Sequence, residues 1–145
     1  ISQRIAHSLI TPYEAELLYD LALTMSDTVD AMEHTAELLV ISRVGQLPTP
    51  LLDAAKGIER AAELTVAASW KLNDTQDLGD YYVQIRKLKR QGERLVRQSL
   101  GALYKRGGST QELLPLHDVS ESIRHTIALQ ERAARIADLL RIKDA

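Results

Sequence analysis

Residues 78–102 read LGDYYVQIRKLKRQGERLVRQSLGA, and this stretch carries the clearest periodic signal in the chain. Apolar or small residues recur in it at intervals of three and four, the spacing that keeps side chains on one face of an α-helix. These positions are Leu78, Tyr81, Ile85, Leu88, Gly92, Leu95, Ser99 and Ala102. The stretch predicts a long amphipathic helix that begins near Asp74 or Thr75 and ends at the Gly107-Gly108 pair.

A helix of similar length is predicted upstream, from Thr11 to about Arg43. Thr11 can cap this helix, Pro12 suits its first position, and Glu14 completes a capping box. Its predicted buried stripe consists of Leu18, Ala22, Met25, Val29, Met32, Ala36 and Leu39. The pattern of residues 1–9 is that of the end of another helix, and we expect further residues upstream of Ile1.

The same reasoning predicts a second long helix from Thr49-Pro50 to about Asn73 and a last one from about Leu116 to Ile142. The inner face of the second consists of Leu51, Ala55, Ile58, Ala62 and Val66. That of the last consists of Val119, Ile123, Ile127, Ala134, Ala137 and Leu140. Pro115 should separate the last helix from a short turn capped by Ser109. Four such helices predict an all-α, antiparallel up-down bundle about 40 Å long.

The composition fits one bundle domain over residues 1–145 and excludes several classes of protein. Hydrophobic residues make up 45% of the 145 residues and charged residues 26%, which is ordinary for one globular domain. The absence of cysteine excludes disulfides and thiolate metal sites and favours a reducing cytoplasm. No apolar run approaches the roughly 20 residues that span a bilayer. Phosphate-binding glycine loops, zinc-protease motifs and serine-nucleophile motifs are all missing, so we predict a protein that is not an enzyme.

Carboxylates and imidazoles recur on two helices at spacings that suit metal ligands. The first series consists of Asp27, Asp30, His34 and Glu37. The second consists of His117, Glu121 and His125. Oxygen and nitrogen ligands of this kind could hold a divalent Fe, Mn, Mg or Zn ion, with Asp27, Asp30 and His34 as the better candidate site. The alternative interpretation of both series is a solvated polar face.

Charge is distributed unevenly between two of the predicted helices. Residues 85–106 contain eight bases and only one acid, Glu93, whereas residues 13–44 contain seven acids and only one base, Arg43. The candidate partner-binding residues are Arg86, Arg90, Arg94 and Arg97. Such a basic face could dock an acidic partner, anionic headgroups or a polyanion. It could also be a solvated face that pairs with the acidic helix. No aromatic residue lies between Arg86 and Arg97, so nucleic acid is not the expected partner.

Three segments of the first helix carry a family resemblance: ITPY at 10–13, LAL at 21–23 and DTVDAME at 27–33. They resemble the PhoU-like proteins encoded beside Pit-type phosphate permeases, and residues 85–103 and 120–140 resemble later helices of that family more loosely. The resemblance implies a bundle that regulates phosphate uptake, either free in the cytoplasm or peripheral at the inner membrane, with a Pit-type permease as the candidate partner. The usual first helix of the family has no counterpart here.

The resemblance also bears on metal binding. The family holds surface metal clusters through a repeated motif whose acids lie four residues apart. Here the first motif falls on Ser26 and Asp30 and the second on Arg124 and Ala128, so Asp30 is the only acid retained. The resemblance therefore implies at most one reduced site, around Asp27, Asp30 and His34.

The leading hypothesis is a non-enzymatic regulatory or accessory protein of phosphate uptake that docks through helix faces onto a permease or a signalling partner. The first alternative is a metal-binding bundle that uses the acidic and histidine stripe. A histidine phosphotransfer bundle, with His34 or His125 as the acceptor, is a second alternative. A structural or interaction bundle unrelated to phosphate is a third. In each case we expect two or more copies to associate through uncovered helix faces, forming a homo-oligomer.

Overall fold

The computed structural model describes residues 11–71 and 78–144, and these ranges contain four α-helices. They are α1 (Pro12–Ile41), α2 (Thr49–Ser69), α3 (Leu78–Arg106) and α4 (Thr110–Asp144). Because the described residues contain no strand, the predicted all-α bundle is confirmed. The helix predicted over residues 1–9 and the helix start predicted near Asp74 lie outside the described ranges.

The first two helices begin close to their predicted positions. At α1 the hydroxyl of Thr11 accepts a hydrogen bond from the amide of Glu14 at 3.1 Å, as the predicted cap requires. At α2 the predicted cap is wrong by one residue, because Thr49 is already helical and Pro48 occupies the cap position. The Pro48 carbonyl accepts from the amide of Leu51 at 3.0 Å, so the helix starts without a side-chain cap.

The turn from α3 to α4 is shorter than predicted. Gly107 and Gly108 adopt φ angles of 72° and 130°, which glycine tolerates best, and they end α3 as expected. Helix α4 then begins at Thr110 and not near Leu116. Pro115 lies inside α4, where it has no N–H to donate to the helix, so the separation predicted at this residue is wrong. The amide of Glu112 donates to the hydroxyl of Ser109 at 3.3 Å, so the predicted Ser109 cap is confirmed.

Helix α4 is the centre of the packing. Helices α1 and α3 both pack along it, while α2 packs mainly against α3. One core cluster consists of Ala61, Ala68, Leu78, Tyr81, Ile85, Ala134 and Ala137. A second consists of Leu51, Ala54, Val96, Val119, Ile123 and Ile127. Every residue predicted for the inner face of the last helix is buried, which confirms that face of the bundle.

Helix α1 turns a different face to α4 than predicted. Its buried residues are Leu17, Thr24, Thr28 and Ala31. The predicted stripe is largely on the surface, and Val29 is 62% exposed. Thr28 is tolerated in this buried face because its hydroxyl finds an acceptor. The hydroxyl of Thr28 donates to the Thr24 carbonyl at 2.7 Å, and the hydroxyl of Thr35 lies 2.6 Å from that of Ser122 on α4.

Tyr81 is buried in the first core cluster, and its phenol oxygen lies 2.9 Å from the hydroxyl of Thr65. Burial raises the pKa of Tyr81 above its usual value, and the hydrogen bond with Thr65 opposes part of that rise. The folded protein therefore keeps this phenol protonated at pH values where the unfolded chain ionises it. This difference is absent at neutral pH and destabilises the folded protein once the pH rises above about 10.

We expect Tyr81→Phe to remove this alkaline loss of stability, because phenylalanine cannot ionise in either state. At pH 7 the variant should be less stable by about 0.5–1.5 kcal/mol, the cost of a lost hydrogen bond. Urea unfolding at pH 7 and pH 10.5 measures both effects. Tyr19→Phe, at a phenol that is 68% exposed, is the control and should follow the wild type. An alkaline loss in Tyr81→Phe equal to that of the wild type would contradict the assignment.

Candidate docking face and basic pocket

The side of α3 opposite the core contains six exposed bases. We call this the basic face, and its members are Arg86, Lys87, Arg90, Arg94, Arg97 and Lys105. All six are exposed, as their helical positions away from Ile85, Gly92 and Val96 require. In the part of the chain that the structure describes, none of the six lies within 4.0 Å of a carboxylate. The predicted alternative, pairing with the acidic helix, is therefore not formed there.

The four predicted partner-binding arginines form one line within the basic face. From Arg86 to Arg97 the helix rises by about 16 Å, and successive guanidinium groups are three or four residues apart. A guanidinium presents several N–H donors in a rigid fork that binds carboxylate or phosphate oxygens two at a time. This line can therefore engage an extended acidic surface or several separate anionic groups.

At one end of this line α3 and α4 enclose a charged recess, which we call the basic pocket. Its volume is about 350 Å³, and it is lined by Tyr82, Arg86, Lys89, Arg90, Glu93, Glu131 and Arg135. Only Arg86 and Arg90 belong to both the pocket and the line of four arginines. The remaining residues of the pocket were not among the sequence-predicted candidates.

A buried carboxylate forms the floor of the basic pocket. The side chain of Glu131 on α4 is only 6% exposed, and its Oε2 accepts a hydrogen bond from Nη2 of Arg135 at 2.5 Å. The same oxygen lies 3.8 Å from Nζ of Lys89 on α3, which is in turn 4.0 Å from Glu93. An ionised carboxylate can be buried only with such paired cations. Glu131 therefore ties the two helices together and fixes two cations beside the pocket.

The electrostatics of Arg135 and Arg86 agree with this arrangement. The hydrogen bond and the charge of Glu131 raise the pKa of Arg135 above its usual value, so this guanidinium stays charged. The guanidinium carbon of Arg86 lies 5.6 Å from the ring centroid of Tyr82, within range of a cation–π contact. The ring therefore lies beside one of the three exposed arginines that line the pocket.

The predicted metal ligands are not brought together into a complete site. Asp27, Asp30 and His34 are all exposed along α1. Within residues 11–71 and 78–144 there is no group of three or more histidine, aspartate or glutamate side chains placed to hold a metal ion. In the second series, Glu121 instead pairs with Arg124 at 3.7 Å. Metal binding remains a prediction from the sequence.

Comparison with known proteins gives no family assignment. No protein-family model matches the chain, and no curated protein matches it. The resemblance to PhoU-like proteins therefore rests on the sequence segments described above. None of the described helices is both long enough and apolar enough to cross a membrane.

Proposed function

We propose that the protein is a non-enzymatic regulatory or accessory protein of phosphate uptake, acting in the cytoplasm by docking helix faces onto a membrane permease or a signalling partner. The observation that carries the docking part is the basic face of α3, whose six cations have no carboxylate partner in the described residues. The link to phosphate uptake is supported by the segments at 10–13, 21–23 and 27–33 that resemble PhoU-like proteins.

An uncompensated basic face favours an acidic partner for two physical reasons. It attracts the partner over distances of about 10 Å in ordinary salt, which speeds association. It also fixes the orientation of the complex, because the arginines lie in one line and each can bind a carboxylate in bidentate geometry. The expected counterpart is a cytoplasmic surface of the permease, or of a signalling protein, that is rich in aspartate and glutamate.

The exposed apolar stripe of α1 is consistent with a protein that works through its surface. Val29 is 62% exposed, and Met25 and Leu18 are each 38% exposed. Contiguous apolar surface of this kind often marks an interaction site. The homo-oligomer predicted from the sequence stays a prediction.

We expect the double variant Arg94→Glu/Arg97→Glu to bind a Pit-type permease at least about ten-fold more weakly than the wild type, because attraction becomes repulsion at two adjacent positions. Both positions lie outside the basic pocket. The measurement is capture of the detergent-solubilised permease by the immobilised protein at two salt concentrations. In the wild type, capture should weaken as salt rises.

The matched control is Lys56→Glu/Arg60→Glu on α2, which changes the net charge by the same amount. The Lys56 and Arg60 side chains are 78% and 58% exposed and lie outside the basic face. Equal weakening by both double variants would mean that binding depends on the overall charge of the protein and not on the basic face. Recovery of no permease, together with unchanged phosphate uptake after deletion of the gene, would refute the proposed function.

A further inference from the structure

We propose that the basic pocket between α3 and α4 binds a phosphate-type oxyanion, held by Arg86, Arg90 and Arg135. The inference deepens the proposed function. It rests on that function in one respect, because Arg86 and Arg90 belong both to the pocket and to the line of four arginines. A docking surface needs no recess, whereas these arginines border one of about 350 Å³. That volume lies at the lower end of the range for small-molecule sites.

The charges of the basic pocket match a doubly charged anion. Two carboxylates, Glu93 and Glu131, are balanced by two cations, Lys89 and Arg135. Lys89 lies within 4.0 Å of both carboxylates, and Arg135 binds Glu131. Arg86 and Arg90 then add two positive charges with no carboxylate within that distance in the described residues. A phosphate dianion neutralises both, whereas a single side-chain carboxylate leaves one uncompensated.

Three cations of the pocket, Arg86, Lys89 and Arg135, have close neighbours that orient them. The buried carboxylate of Glu131 orients Arg135 and Lys89, and the Tyr82 ring packs under Arg86. A cation fixed in advance loses less side-chain entropy when an anion binds. Arg94 and Arg97, like Arg90 within the pocket, have no ion-pair or ring contact within the described chain, but Arg90 lies beside the oriented cations and they do not. We therefore expect an anion to prefer the pocket to the adjacent turns of α3.

The phosphate group that binds in the pocket could come from two sources. One is inorganic phosphate in solution, and the other is a phosphomonoester headgroup on a membrane surface. Both present a compact dianion with several oxygens that can accept from guanidinium groups. The experiment therefore needs one soluble ligand and one membrane ligand.

The test is calorimetric titration of the purified protein with inorganic phosphate, at constant ionic strength set with chloride. We expect saturable binding that Arg90→Gln weakens about ten-fold or more, because a charge-assisted hydrogen-bonding group is lost. Arg97→Gln removes the same charge from the same face two turns away and should weaken binding less than about two-fold. Absence of saturable binding to both phosphate and vesicles, or equal weakening by the two variants, would overturn the proposal.

The membrane arm uses phosphatidylcholine vesicles containing phosphatidic acid, which carries a phosphomonoester. Sedimentation with these vesicles that Arg90→Gln reduces and Arg97→Gln does not would support the pocket with the headgroup as its source. Equal reduction by both variants would mean diffuse attraction and would overturn it. Failure of anion binding can be distinguished from failure of docking. Docking is tested by permease capture with substitutions at Arg94 and Arg97, whereas anion binding is tested with Arg90→Gln.

Discussion

Replacing Leu51 with alanine should lower the free energy of unfolding by about 2–5 kcal/mol, the range for deleting a large buried aliphatic side chain. Leu51 has no exposed surface and packs in the cluster that contains Val96, Val119 and Ile123. It is the only large residue among the buried residues of α2, since the other three are alanines. The cavity left by the substitution would lie between three helices, which limits how far the structure can collapse around it.

The adjacent Leu52 provides the matched control for this prediction. It is 42% exposed and points away from the core, so Leu52→Ala should change stability by less than about 0.5 kcal/mol. Urea unfolding followed by circular dichroism measures both variants. Similar losses for the two would mean that the α2 face has been assigned incorrectly. This pair therefore tests the orientation of α2 as well as the energy of one contact.

The sequence predicts the apolar inner faces of α3 and α4 well, because most of the apolar residues assigned to them are buried. Helix α4 buries Val119, Ile123 and Ile127 as predicted. It also buries polar residues that the pattern does not indicate, namely Ser120, Ser122, Thr126, Gln130 and Glu131. On α1 the same reasoning fails. Its most apolar stripe is exposed, and its buried face contains threonines whose hydroxyls bond to nearby backbone carbonyls or to Ser122. A hydrophobic pattern cannot predict the burial of polar side chains whose hydrogen bonds are formed within the protein.

The candidate site was predictable only in part. The line of arginines on α3 follows from heptad positions alone, and the structure places all four on the exposed side. The floor of the pocket depends on α4 packing beside α3, which brings Glu131 within 3.8 Å of Lys89 although 42 residues separate them in sequence. A local signal did exist, since Glu131 and Arg135 are spaced for an ion pair within one helix. Nothing local indicates that this glutamate is buried.

Helix α3 faces the Ile127 side chain of α4 at Gly92. A β-carbon built at this position would lie 2.6 Å from Cδ1 of Ile127, well inside van der Waals contact. Gly92→Val should therefore destabilise the protein by about 1–3 kcal/mol or more, because the added branches meet a packed side chain on the opposite helix. This steric cost outweighs the better helix propensity of valine, which is worth only a few tenths of a kcal/mol over glycine.

Gly101→Val is the matched control on the same helix, since no atom lies within 4 Å of a β-carbon built there and the position is exposed. We expect it to be neutral or slightly stabilising. Ile127→Ala alone should cost about 2–5 kcal/mol. Combined with Gly92→Val it should cost clearly less than the sum of the two single variants, because valine fills space that the isoleucine has left. Strict additivity would show that the two side chains do not meet, and α3 and α4 would then have to lie farther apart than this packing places them.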